Sequence, residues 1–393
     1  MPDRDLRQLR VGIIAGEESG DILAAGLMAE LLKRFPNARF EGIAGPRMQA
    51  LGCKSLFPME KLAIIGVVEL VSSLFSLARI RRRLIKHFIT SPPDLLIGVD
   101  APQFNIGVEE RLHSAGIPTI HYVSPTIWAW RQYRIKQIQR AVDHMLVLFP
   151  FEQRIYEEKG IPVTYVGHPL ADDLSGEVDV DSARAALSLS RNQLVVGLLP
   201  GSRKSELNRH ADMFVRTAQW LHARNSKIVF AAPFVNKTTR KIFERAIASN
   251  NAGTLPITLV DGDSRKVMEA SDVLIVASGT ATLEAALLRR PMVVTYKINW
   301  LTYIIFRMFS SIKLYSLPNN LVGYELLPEL MQNRATAEAI GKATEHFISH
   351  PGAMDQVRKE LDRMASQLRQ NANKKSAQAV AEFIVARQLG AAA

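Results

Sequence analysis

Gly16-Glu17-Glu18-Ser19-Gly20-Asp21 follows an apolar run at residues 11–15, and Leu199-Pro200-Gly201-Ser202-Arg203 closes a second apolar run at 194–199. Each reads as a small-residue turn between a buried strand and the start of a helix. Such a turn aims free backbone N–H groups, and the positive end of a helix dipole, at whatever sits above it. Two of them, in halves of similar build, predict two nucleotide-binding-type α/β domains facing each other across a cleft.

The rest of the chain fits that reading. In the first half, apolar runs at 40–44, 95–99, 118–123 and 144–148 predict strands, with helices at 21–35 and 104–115. The runs are apolar on both faces and alternate with helices, which argues for a parallel sheet covered on both sides. Residues 172–190 are acidic, poor in large apolar side chains, and read as the inter-domain connection. The pattern then restarts, with strands at 194–199, 227–232, 257–260, 273–277 and 292–295 and helices at 205–223 and 280–288. Beyond about residue 335 the chain reads as helical, ending in one long amphipathic segment at 353–389. The expected division is 1–172, 173–340, and C-terminal helices over 341–393.

The chain has 393 residues, 47% of them apolar, enough for two cores. Cys53 is the one cysteine, which excludes an intrachain disulfide framework and fits a reducing compartment. No activating base stands beside it, so a structural role is expected. The formal net charge of +11 implies an anionic partner. Residues 1–10 are charged and form no export signal. The most apolar stretch, 298–312, contains Arg307 and is too short to span a bilayer. A cytoplasmic protein resting on a membrane surface is expected.

In open α/β sheets ligands bind beyond the carboxyl ends of the strands, and the polar clusters lie there. Asp100 closes the run 95–99. It reads either as a general base for a hydroxyl or as the N-cap of the next helix. Glu17 has no evident structural reason at a strand end. Ser19 or Asp21 could cap the following helix, Asp21 being the better candidate. Arg203 beside a helix start suits a diphosphate, or is a solvated surface arginine in a tight turn. In Ser278-Gly279-Thr280-Ala281-Thr282-Leu283-Glu284 the glycine permits close approach, and Glu284 can take both hydroxyls of a ribose. Trp128 and Trp130 could stack on a sugar or fill a core gap. Asn319, in Leu317-Pro318-Asn319-Asn320, belongs to a turn. No metal-ligand spacing is present, and neither metal nor cofactor is expected.

These blocks together resemble the bacterial lipid-A-disaccharide synthase family across nearly the whole chain. The resemblance rests on residues 15–21, 44–50, 100–105, 121–131, 199–203, 277–284 and 316–319, and is loose after Arg334. It implies a GT-B fold: two Rossmann-like domains, acceptor on the first and UDP-sugar on the second. It implies that UDP-2,3-diacylglucosamine donates its sugar to 2,3-diacylglucosamine 1-phosphate (lipid X), with inversion, giving a β-1,6 disaccharide 1-phosphate and UDP. Asp100 becomes the leading candidate base. Glu17, Ser19, Asn105, Trp128 and Trp130 fall on the acceptor side. Arg203, Ser278, Gly279, Thr280, Glu284 and Asn319 fall on the donor side.

Both substrates carry acyl chains, so contact with the inner face of the inner membrane follows. The apolar block with Ile64, Val67, Val68, Leu70 and Leu74, followed by Arg81 and Arg82, suits an interfacial helix edged by lipid phosphates, the alternative being a core helix. The segment 298–312 reads equally as a second contact or as core. The C-terminal helices either cross back to the first domain or meet a second subunit in a homodimer. Rival readings are a peptidoglycan-precursor transferase or a nucleotide-sugar 2-epimerase; an epimerase needs no membrane surface. Nucleic acid is not an expected partner, because the basic stretch has no glycine- and aromatic-rich RNA-binding signature.

Overall fold

The computed structural model of the protein describes residues 8–63, 70–125, 134–298 and 314–392. The chain folds as two compact units, Met1–Asp172 with Leu368–Ala393, and Asp173–Gln367. Each is an α/β sandwich around one parallel sheet.

The first sheet comprises β1 (Arg10–Ala15), β2 (Arg39–Ala44), β3 (Lys54–Pro58), β4 (Leu95–Val99), β5 (Thr119–Tyr122), β6 (His144–Val147) and β7 (Val163–Tyr165). Their order is β3-β2-β1-β4-β5-β6-β7, all parallel. The second comprises β8 (Leu194–Leu199), β9 (Ile228–Phe234), β10 (Ile257–Asp261), β11 (Val273–Ala277), β12 (Met292–Tyr296) and β13 (Glu329–Met331), ordered β10-β9-β8-β11-β12-β13 and again parallel. β1, β4, β8 and β11 are the central strands, buried on both faces as their unbroken apolar runs require.

Each order reverses once, between β1 and β4 and between β8 and β11. That switch point is where doubly wound sheets bind ligands. Gly16 and Asp100 leave the first sheet side by side, since Ala15 pairs with Val99. A Cβ on Gly16 would stand 2.4 Å from that of Ala101, so only glycine fits there. The turns after Leu199 and Ala277 flank the second switch point in the same way.

Three expectations need correction. The strands β3, β7 and β13 add to the expected ones; they carry no unbroken apolar run, because each is a short edge strand. The stretch 172–190 is not a bare connection. Asp179 caps the helix Val180–Ala186, whose Arg184 is buried on Asp272 at 2.8 Å while Ala183 and Leu187 pack into the second core. The segment 353–389 is not one helix. It breaks at Asn371 (φ 52°) into Pro351–Leu368 and Ala372–Ala392. Asp172 accepts the backbone N–H of Asn371 and Ala372 and starts the last helix. That helix buries Ala377, Val380 and Ile384 in the first core. Gly26 lets it lie close to the helix Glu18–Arg34, for a Cβ there would be 2.4 Å from Asn373 Oδ1.

Candidate active site

At the first switch point, Glu17 is the N-cap of the helix Glu18–Arg34, and no side chain caps it. Glu17 and Ser19 are exposed. Asp21 is buried inside that helix and caps a different one. Its carboxylate accepts the N–H of Arg47 at 2.9 Å and of Met48 at 3.1 Å, starting the helix Pro46–Ala50. The expectation that Asp21 caps its own helix is therefore wrong in its partner. The same carboxylate, after burial, helps push the Cys53 thiol up to about 12, which keeps that cysteine inert.

Asp100 is not an N-cap. The cap of the helix Pro102–His113 is Ala101, and no side chain serves it. Asp100 (φ 52°) and Ala101 (φ 42°) are both left-handed, a conformation that costs non-glycine residues roughly 1–3 kcal/mol each. Among the described residues the Asp100 carboxylate accepts no hydrogen bond. Asn105, expected on the acceptor side, is instead fully buried. Its amide nitrogen donates to the carbonyls of Ile14, Val99 and Asp100 at 3.3, 3.2 and 2.8 Å. It ties the ends of β1 and β4 together and holds the strained turn. Trp128 and Trp130 lie outside the described residues.

The two turns of the second unit differ. The backbone N–H groups of Ser202 and Arg203, expected to be free, instead donate to the Glu206 carboxylate at 3.1 and 3.2 Å. Glu206 sits at the third position of the helix Lys204–Arg224, where a carboxylate closes the helix end. Arg203 is largely exposed, its guanidinium 3.8 Å from Glu206, so its charge remains available. By contrast the helix Thr280–Leu287 starts at Gly279 with no capping side chain. Ser278 N–H is engaged with Thr295 O, and Thr282 Oγ1 donates to Gly279 O. Gly279 and Thr280 are exposed. Glu284 lies half-buried one turn on; burial raises its carboxyl above the usual range, with Arg265 opposing and Glu269 adding.

Asn319 is also corrected. It is fully buried. Its amide donates to Leu327 O and Glu329 Oε1, both at 2.8 Å, and accepts from the N–H of Leu326 and Leu327. Every hydrogen-bonding position is occupied, so it builds the 314–329 loop and has none left for a donor. Two residues missed in the sequence support the Arg203 turn: Glu206, and His210 one turn later. Lys297 N–H donates to His210 Nε2 at 3.0 Å, so Nδ1 carries the proton and bonds Pro200 O at 3.0 Å. Burial lowers this imidazole below its usual value. The neutral ring clamps the loops following β8 and β12. A glutamate three residues past a turn is a helix-start signal, and could have revealed the first of the pair.

A family model described as lipid-A-disaccharide synthetase matches residues 11–383. The lipid-A-disaccharide synthase of Methylobacillus flagellatus is 45% identical over 374 residues, covering 95% of this chain and 99% of its own. That of Cellvibrio japonicus is 46% identical over 376 residues, covering 96% and 97%.

The chain belongs to the lipid-A-disaccharide synthetase family.

Family membership makes it a glycosyltransferase of lipid A biosynthesis, acting on sugar-nucleotide and lipid-linked substrates. Two solved structures share its fold at low identity. A UDP-GlcNAc 2-epimerase from Neisseria meningitidis, bound to UDP-GlcNAc, gives a TM-score of 0.62 at 12% identity, covering 96% of this chain and 99% of that one. A glycosyltransferase from Rickettsia africae gives 0.59 at 12%, covering 96% and 97%. The fold is GT-B, with two Rossmann-like domains.

Of the residues expected at a membrane, Ile64, Val67 and Val68 lie outside the described residues. Leu70 and Leu74 open the helix Leu70–Thr90, but their side chains are outside the described ones. Arg81 is not available to a lipid phosphate. It donates to Gln103 O at 2.7 Å and lies over the Phe104 ring at 5.3 Å. Arg82, Arg83 and Lys86 are exposed, as is Phe75. Among the described residues no helix is long and apolar enough to cross a membrane, and no group of His, Cys, Asp or Glu could hold a metal ion.

Proposed function

We propose that this enzyme moves 2,3-diacylglucosamine from its UDP donor to the 6-hydroxyl of 2,3-diacylglucosamine 1-phosphate. Asp100 takes the hydroxyl proton as the oxygen attacks the anomeric carbon. The bond to UDP breaks on the opposite face, so an α-linked donor gives a β-1,6 disaccharide 1-phosphate. The observation that carries this reading is the Asp100 turn. A carboxylate is held out at a switch point on strained backbone, with no partner among the described residues, which is where strain collects for function.

The first unit then takes the acceptor, with Glu17 and Ser19 at its rim. The second takes the donor. The uncapped start of the helix Thr280–Leu287 receives the diphosphate with Ser278, Gly279 and Thr280. Arg203 neutralises the charge that develops on departing UDP, and Glu284 binds the ribose. The helix Leu70–Thr90 rests its exposed basic side, with Arg82, on the cytoplasmic face of the inner membrane, and the apolar block ahead of it receives acyl chains. The epimerase reading has only a fold-level likeness behind it, whereas the relatives at about 45% identity are synthases.

Mass-spectrometric detection of the disaccharide 1-phosphate, after mixing with both acylated substrates, tests the reaction. Asp100→Asn should lower kcat by about 10²- to 10⁴-fold, as loss of a general base does, while UDP binds as before. Full turnover in that variant removes Asp100 from the chemistry.

A further inference from the structure

The carboxyl ends of β4 and β5 hold three left-handed residues that are not glycine: Asp100, Ala101 and Val123, the last at φ 82°. A β-branched residue there is a true outlier. Such backbone persists only where its surroundings over-determine it.

Beneath it lies a buried polar cluster. Asn105 and Glu109 are one turn apart on the helix Pro102–His113 and share a face. Gly98 makes the room: a Cβ there would fall 1.9 Å from Glu109 Oε1 and 3.1 Å from Asn105 Cβ. Gly98 pairs in register with His121. Glu109 Oε1 reaches His121 Nδ1 at 2.7 Å, both side chains fully buried. Burial opposes the imidazolium, but the Glu109 charge and hydrogen bond, with a further pull from Asp100, outweigh it and hold His121 above its usual value.

As a stabilising device this is poor. Glu109 Oε2 and Asn105 Oδ1 are both buried without a partner among the described residues. A buried ion pair with unmet hydrogen bonds is often no more stable than an apolar replacement. The pair sits instead where strain must be held.

We infer that Glu109 and His121 are positioning residues for the transfer, bracing the ends of β4 and β5 so that Asp100 stands at the angle the acceptor needs. The inference rests on the reading of Asp100 as the base. Neither residue touches substrate, so their loss should appear in kcat and not in binding.

The test is a comparison in two backgrounds, using the full chain. In the natural background His121→Gln and Glu109→Gln should each lower kcat at least about tenfold, with KM for both substrates and UDP affinity unchanged. In Asp100→Asn, with residual turnover followed at high enzyme concentration, the same substitutions should cost less than about threefold, because residues acting as a unit are not additive. Equal losses in both backgrounds, or no loss in the first, would overturn the brace. Glu109→Gln preserves shape and one hydrogen bond, and carries the comparison if His121→Gln does not fold. Full turnover by Asp100→Asn alone overturns the base assignment instead, and is read from a separate enzyme.

Discussion

Gly201 and Gly279 occupy equivalent turns and differ in what surrounds them. Gly201 has φ 118°, and a Cβ on it would meet Glu206 at 2.7 Å; the fold itself demands glycine there. Gly279 is extended, with nothing within 4 Å of a Cβ. The unliganded fold therefore tolerates alanine at 279, and only a ligand close to the helix end would object. Gly279→Ala should keep the melting temperature and weaken UDP binding about tenfold or more, as two calorimetric measurements would show. Undiminished affinity would place the diphosphate elsewhere. Glu284→Gln should also weaken UDP by roughly 10- to 100-fold, the range for a hydrogen bond to a charged group. Both positions follow the end of the strand Val273–Ala277, as their place in the sequence implies. The sequence could not tell which of the polar groups face outward. Asn319 is satisfied by backbone and a carboxylate seven to ten residues away, and Asp21 by a helix 26 residues on. Those partners exist only after folding.

At the scale of elements, the central strands were legible because burial on both faces leaves an unbroken apolar run. β4, β8 and β11 were placed to the residue for that reason. Edge strands and helix breaks were not, since their causes are local partners such as Asp172 capping at Asn371. The helix Leu70–Thr90 shows the same division. Its arginines look alike in sequence, yet Arg81 clasps the helix Pro102–His113, where a Cβ on Gly107 would stand 3.3 Å from its guanidinium, while Arg82, Arg83 and Lys86 face solvent. Two outcomes separate these roles. Replacing Arg82, Arg83 and Lys86 with glutamate should abolish sedimentation with anionic vesicles and leave melting unchanged. Arg81→Ala should sediment normally but melt lower, losing about 1–3 kcal/mol from one hydrogen bond and a cation–π contact. A triple variant that still sediments would remove this helix from membrane docking.

For the molecule as a whole, each unit carries a histidine that must stay neutral. In the first, burial pushes His168 down to about 4. Its Nδ1 accepts the N–H of Leu170 at 3.2 Å, at the start of the helix Pro169–Asp173, and its backbone N–H reaches Leu368 O where the chain returns. In the second, His210 is lowered by burial and clamps two loops. Between about 4 and 6.5 the unfolded chain binds a proton at His168 that the folded chain does not, so stability rises with pH across that window and is complete above 6.5. Across the whole window His168 alone should contribute a rise on the order of 2 kcal/mol, allowing for its partial exposure. His121 acts in the opposite sense, its share being lost as pH rises through its elevated value. Asparagine at 168 can still accept the Leu170 N–H but does not titrate. His168→Asn should therefore match the natural protein less closely as pH falls, gaining relative melting temperature from pH 7 to pH 4.5. A constant difference across that range would show that His168 is not the group that couples this unit to acid.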